Sequence, residues 1–192
     1  MSSLSTPAAA LAALRRGNDR YVTARARHPR QDAAARRDHL VGQAPHTCVL
    51  ACADSRVSPE VIFDQGIGDL FVVRNGGQVL TPSAAASVEF AYLLTHVKAI
   101  VVLGHEGCKA VALGRAIRAG ESVQTPGQLA VLTDAVTTYL ANDDGGLFPT
   151  VGAVVARIRA LEVLADPLRT GDLVVVGAGY HLGSGQVEWL ES

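Results

Sequence analysis

Thr47-Cys48-Val49-Leu50-Ala51 runs directly into Cys52-Ala53-Asp54-Ser55-Arg56, and Ala99-Ile100-Val101-Val102-Leu103-Gly104 runs into His105-Glu106-Gly107-Cys108. Both leading runs are apolar and of strand length, as strands covered on both faces of a parallel sheet should be. Each delivers reactive side chains at its carboxyl end: between them two thiols, one imidazole and one carboxylate. In an open α/β sheet ligands collect at that end, in the crevice where the strand order reverses. If the two strands are sheet neighbours, the four side chains converge. Two sulfurs and a nitrogen suit zinc, and three protein ligands leave a fourth position open for chemistry.

Working outward, residues 7–22 predict an opening helix, with Thr6 before Pro7 as its start and Leu11, Leu14 and Tyr21 on one stripe. Residues 23–30 form a polar arm, and 31–41 a second, more polar helix stopped by Gly42. These early helices hold few large apolar residues, so a partner subunit is the surface expected to receive them. Ser58-Pro59-Glu60 opens a short helix ending near Gly66. A strand is expected at 69–73, then a tight turn at Arg74-Asn75-Gly76-Gly77-Gln78. Helices are expected at 83–96, 108–119, 128–140 and 151–164, the last with Val151, Val154, Val155, Ile158 and Leu161 in phase. Asn142-Asp143-Asp144-Gly145-Gly146 reads as a loop. A fourth strand at 173–176 and a short hairpin strand at 187–190 close the chain. The whole reads as one α/β domain over 1–192: a mainly parallel, four- to five-stranded sheet flanked by helices, with residues 1–42 as an N-terminal helical arm.

Composition narrows the function. The 192 residues carry 17 basic and 18 acidic side chains, a balance that asks for neither nucleic acid nor an anionic membrane. The arginines between Arg15 and Arg37 are interleaved with alanine and aspartate and read as solvated faces. No apolar run reaches membrane-spanning length, and the first residues lack a secretory pattern. Three cysteines do not make a disulfide framework, so a reducing, cytoplasmic setting is expected. Cys48, inside a strand, reads as a small buried hydrophobe.

Zinc with two thiolates and a neutral imidazole is formally uncharged, and water bound there needs outside help to ionise. Asp54 is placed to accept a hydrogen bond from that water, and Arg56, two residues on, can hold Asp54 by a bidentate pair. The same carboxylate could instead swing onto the metal and close the fourth position. A redox pair is the other use of Cys52 and Cys108, but it leaves His105, Asp54 and Arg56 without a task. His28, His39, His46 and His96 have no ligand partner at useful spacing.

Cys52-Ala-Asp-Ser-Arg-Val57, Asp69-Leu-Phe-Val-Val-Arg-Asn75, Gly104-His105-Glu-Gly-Cys108, Val176-Gly-Ala-Gly-Tyr180 and Gly185-Gln-Val-Glu-Trp189 together resemble the β-class carbonic anhydrases. The resemblance implies a zinc lyase that hydrates carbon dioxide reversibly to bicarbonate and a proton, through hydroxide on zinc. It implies Cys52, His105 and Cys108 as ligands and Asp54 with Arg56 as a gating dyad. It further implies Gln43, Phe71 and Phe90 around the substrate, with a backbone N–H between Gly107 and Lys109 receiving the developing charge. Dimers with pockets at the subunit interface, which pair into tetramers, are implied too. Arg74 and Tyr180 match two positions of an inhibitory bicarbonate site, but Val49 stands where its tryptophan belongs. An enzyme open at neutral pH is therefore expected. Lys109 departs from the family's glycine, and could narrow the pocket, attract bicarbonate or point outward. Hydrolysis of carbonyl sulfide or carbon disulfide on the same site, and a weakly active zinc scaffold or bicarbonate sensor, are the rival readings.

Overall fold

The computed structural model describes residues 4–141 and 145–190. Five strands form one sheet in the order β2-β1-β3-β4-β5: β1 (Thr47–Cys52), β2 (Leu70–Asn75), β3 (Ala99–His105), β4 (Val174–Tyr180) and β5 (Val187–Leu190). The first four are parallel and β5 returns antiparallel on β4, as the hairpin reading expected. From β1 the chain crosses to one side to make β2, then to the other side to make β3. The order therefore reverses between β1 and β3, which are neighbours with Thr47 opposite Ala99 and Ala51 opposite Leu103.

Every residue of β1 and β3 is buried, which accounts for their unbroken apolar sequence. One face carries Cys48, Leu50, Ile100 and Val102 under α4 (Pro82–Thr95), α6 (Leu129–Tyr139) and α7 (Val151–Arg159). The other carries Val49, Ala51, Val101 and Leu103 against α1 (Pro7–Val22) and α3 (Pro59–Ile62). Burying each of the larger aliphatic side chains contributes about 1.5–3 kcal/mol.

Helix α1 starts as expected, the Thr6 hydroxyl accepting from Ala9 N–H at 3.2 Å. It does not depend wholly on a partner subunit. Ala10, Leu14, Gly17 and Asn18 are buried within the chain, and a Cβ on Gly17 would lie 1.7 Å from the Phe63 carbonyl oxygen. Helix α2 (Ala33–Asp38) is shorter than expected, and Leu40 and Val41 beyond it are almost fully exposed. The helix expected to reach Leu164 ends at Arg159. Leu161 takes an extended conformation (ψ 123°), and a 3-10 turn (Glu162–Leu164) buries Leu164 before α8 (Ala165–Thr170). Strand β4 runs past the expected Val176 to Tyr180, so Gly177 and Gly179 lie within the strand. Their missing side chains make room for Val151 and the Phe148 ring, which would meet added Cβ atoms at 2.7 and 2.1 Å. Of the loop expected at 142–146, residues 142–144 lie outside the described residues. No described helix is long and apolar enough to cross a membrane.

Candidate metal centre

Cys52 is the last residue of β1, His105 the last of β3, and Cys108 caps α5 (Lys109–Arg118). The turn between His105 and Cys108 requires a left-handed residue, supplied by Gly107 (φ +64°). All three side chains are buried, and their ligand atoms lie within 4.8 Å of one another. The sulfurs are 3.9 Å apart. That is too long for a disulfide and close to the ~3.8 Å edge of a zinc tetrahedron with ~2.3 Å Zn–S bonds.

The imidazole is prepared for a cation. Its Nδ1 meets the Glu106 carbonyl oxygen at 2.9 Å, so that nitrogen carries the proton. The opposite nitrogen, Nε2, is buried without a hydrogen-bond partner in the structure. A lone pair orphaned in this way costs about 1–3 kcal/mol unless something accepts it. The sulfurs say the same. The proton shared with Cys108 lowers the Cys52 thiol, helped by the Gly77 N–H, which donates to Cys52 Sγ at 3.4 Å. That shared proton and burial raise Cys108, whose thiolate the Val111 and Ala110 amides favour. One negative charge forms readily and repels a second. A divalent cation removes the conflict, and the donor set fits zinc.

Gly77 is the member of this centre that the sequence alone presents only as a turn residue. It stands at φ +74° in a 3-10 turn (Gly76–Gln78) at the end of β2. Asn75, level with Cys52 across the sheet, ties the turn by exchanging two hydrogen bonds with the Val79 backbone. The available signal was a glycine pair after a strand that ends beside Cys52.

Asp54 and Arg56 meet as expected. Arg56 Nε and its backbone N–H donate to Asp54 Oδ1 at 2.9 and 3.0 Å, and Arg56 Nη2 donates to Oδ2 at 2.7 Å. These bonds hold the carboxyl well below the usual carboxylate range. Asp54, expected also as an alternative metal ligand, is not part of the metal-capable group among the described residues: it is turned to Arg56. Arg56 Nη2 also reaches the Gly107 carbonyl at 3.4 Å.

Of the remaining expected residues, Arg74 and Lys109 border the centre and the others lie farther off within the chain. Gln43 is exposed ahead of β1, at the strand end opposite Cys52. Phe71 pairs with Cys48 on the edge strand β2 and stacks on Phe90, ring centroids 5.7 Å apart. Lys109 is exposed in the first turn of α5. Arg74 and Tyr180 are on β2 and β4, with β1 and β3 between them. Arg74 is engaged by the Cys52 and Asp54 carbonyls at 3.0 and 2.8 Å, and the Tyr180 hydroxyl shares a hydrogen bond with that of Tyr21. Of the other histidines, His46 is buried between Thr47 and Gln65, and His181 bridges Glu106 and Glu188.

A parallel α/β sheet that gathers Cys-His-Cys at its switch point, beside an Asp–Arg pair, defines a class of metal-site proteins. Residues 47–187 match the carbonic anhydrase family model. The chain is 36% identical to "Carbonic anhydrase 2" of Mycobacterium tuberculosis, covering 95% of this chain and 92% of that one. It is 37% identical to a carbonic anhydrase of Mycolicibacterium smegmatis, covering 96% and 93%. Among solved structures, a tetrameric β-carbonic anhydrase of Sordaria macrospora matches with TM-score 0.70 at 23% identity, over 83% of this chain and 89% of that one. The chain belongs to the carbonic anhydrase family, has the β-class fold, and is an enzyme.

Proposed function

We propose that the protein catalyses reversible hydration of carbon dioxide to bicarbonate and a proton at a zinc ion held by Cys52, His105 and Cys108. The observation that carries this is the buried, unpartnered Nε2 of His105, aimed into the same space as two sulfurs 3.9 Å apart. Bound there, zinc supplies the Lewis acidity that makes water a nucleophile near neutral pH. The chain's own groups do the rest. Asp54, kept ionised and fixed by Arg56, is an acceptor for a proton of the attacking water. Arg56 ties the dyad to the ligand-bearing turn through the Gly107 carbonyl, so carboxylate and metal site move together. With its carboxylate on Arg56, the site rests in the open form.

Substrate contacts in this reading come partly from a second copy. Gln43, Phe71 and Phe90 do not reach the metal centre of their own chain, yet Phe90, Leu93 and Leu94 form an exposed apolar surface along the β2 edge. A homodimer across that edge, able to pair into a tetramer, would cover it and bring the partner's aromatic pair to the site. Three free cysteines support a reducing, cytoplasmic setting.

Stopped-flow assays of the zinc-loaded enzyme, offered carbon dioxide, carbonyl sulfide and carbon disulfide in turn, test the proposal. Carbon dioxide should turn over fastest, and Cys108→Ser should lose both zinc and at least about 100-fold in rate. Preferential hydrolysis of a sulfur gas, or a Cys108→Ser enzyme of undiminished activity, would overturn it.

A further inference from the structure

At the amino-terminal end of the sheet, away from the metal centre, a cluster of arginines has no role in the reaction. The arm after α1 carries three non-glycine residues in the left-handed region: Ala24 (φ +53°), His28 (φ +47°) and Arg30 (φ +48°). Each such residue costs about 1–3 kcal/mol and persists only where its surroundings impose it. Here they do. The buried Asp64 carboxylate accepts the Arg27 and His28 N–H groups at 2.9–3.0 Å and Arg20 Nε at 2.5 Å. The Ile67 N–H donates to the Arg30 carbonyl at 3.1 Å, and Gly66 packs so closely on Pro29 that a Cβ would fall 2.0 Å from its carbonyl oxygen.

The clamped arm bounds two adjoining hollows of about 280 and 480 Å³, both lined by Arg20 and Arg27. The smaller adds Arg16 and Arg30 beside Asp64, the larger Arg25 and one carboxylate, Asp19. Arg20 is matched by Asp64 and Arg30 by Asp69, while the Arg16, Arg25 and Arg27 guanidiniums have no ion-pair partner among the described residues. Asp64 is spent on the clamp. Burial pushes its carboxyl up, but the Arg27 amide and the Arg20 guanidinium outweigh burial and hold it ionised. A chain of net charge −1 thus gathers three guanidiniums without an ion pair, against the one further carboxylate of Asp19, around a preorganised hollow.

We infer that this arginine-lined groove is an anion site for a polyphosphate group, one phosphoryl in each hollow. Guanidinium forks match phosphate oxygens in pairs, and several of them spread over two adjoining hollows favour an extended polyanion over a monovalent anion. No aromatic side chain lines either hollow, so the groove reads phosphates and not a base. Free pyrophosphate and the chain of a nucleoside triphosphate share this chemistry, and the two sources are separated by experiment.

Isothermal titration calorimetry of the zinc-loaded enzyme with sodium pyrophosphate, orthophosphate, ATP and GTP provides the test. Pyrophosphate should saturate one site per chain and bind at least about 10-fold more tightly than orthophosphate, with affinity falling as salt rises. ATP and GTP should bind alike; affinity near that of pyrophosphate assigns the groove to either source, and weaker binding to free pyrophosphate. The double variant Arg16→Gln/Arg27→Gln keeps the Arg27 backbone N–H on Asp64 and removes only exposed guanidiniums. It should lose at least about 10-fold in pyrophosphate affinity while hydrating carbon dioxide at the wild-type rate. Heat from withdrawal of zinc by pyrophosphate would be common to wild type and variant, so only their difference counts. Absence of saturable binding at millimolar pyrophosphate, equal affinity in the double variant, or a preference between ATP and GTP would overturn the inference.

Discussion

At the scale of single residues, burial decides which titratable groups matter. His46 sits 8% exposed between Thr47 Oγ1 at 2.8 Å and Gln65 Oε1 at 3.1 Å, and burial lowers its pKa despite the bond to Gln65. The folded state therefore binds fewer protons than the unfolded chain below about pH 6.5. Stability from neutral His46 is complete above that pH and is lost as pH falls through the folded value. Unfolding temperature should drop as pH decreases below about 6.5, and His46→Gln should flatten the dependence. Zinc loss on acidification affects wild type and variant alike, so the difference between their profiles isolates His46. Cys48 makes a useful contrast. Burial pushes its thiol up to about 12, which keeps it inert and matches its expected role as a small hydrophobe. Its sequence neighbour four positions on, Cys52, has the opposite fate because Cys108 and Gly77 face it. Sequence already separates the two cysteines by role, and the fold supplies the neighbours that set them apart.

At the scale of elements, α1 works as a clasp. Asn18 Nδ2 donates to the Ile62 and Gly185 carbonyls at 3.1 and 2.9 Å, and its Oδ1 accepts from Val187 N–H at 2.8 Å. One buried amide thus joins α1 to the end of α3 and to the start of β5. Asn18→Ala should destabilise the protein by about 3 kcal/mol in urea unfolding, because three buried backbone groups lose their partner. The helix itself was legible from Thr6-Pro7 and from the Leu11, Leu14, Tyr21 stripe. Its partner was not, since Asn18 reads as a polar surface residue until Val187 is seen opposite. Likewise the fourth strand was expected to stop at Val176, short of Gly177 and Gly179. Here they continue β4, and their purpose lies in Phe148 and Val151, far away in sequence.

At the scale of the whole molecule, an exposed apolar edge supports the proposed assembly. Phe90 is 43%, Leu93 50% and Leu94 64% exposed beside an edge strand, a combination that invites association. Leu94→Arg should shift the native mass measured by light scattering to that of a single chain. It should also lower carbon dioxide hydration while zinc content stays unchanged. An unchanged mass would place the interface elsewhere. The arginine groove belongs to this scale too, for it is built from α1, the arm after it and the connection between α3 and β2. Basic residues in the arm were plain in the sequence. Their interleaving with acids suggested solvated faces, and Arg16, Arg25 and Arg27 are exposed; what the fold adds is that Asp64 turns to the arm's backbone and these three have no ion pair among the described residues.

By itself the sequence determined the main strands and the group of side chains that could hold a metal. Apolar runs of strand length, rich in valine and isoleucine, read as buried strands, and the residues after such a strand emerge at its carboxyl end. Cys52, His105 and Cys108 were therefore readable as a group before any coordinate was known. Only the tertiary structure decided that β1 and β3 are adjacent, that Gly77 donates to a sulfur, that Asp54 faces Arg56 rather than the metal position, and that Gln43 and Phe90 lie apart from the Cys-His-Cys group of their chain. The physical reason is locality. Strand burial and turn chemistry are written in neighbouring residues, whereas a hydrogen-bond partner or a shared hollow depends on which distant segments the core brings together.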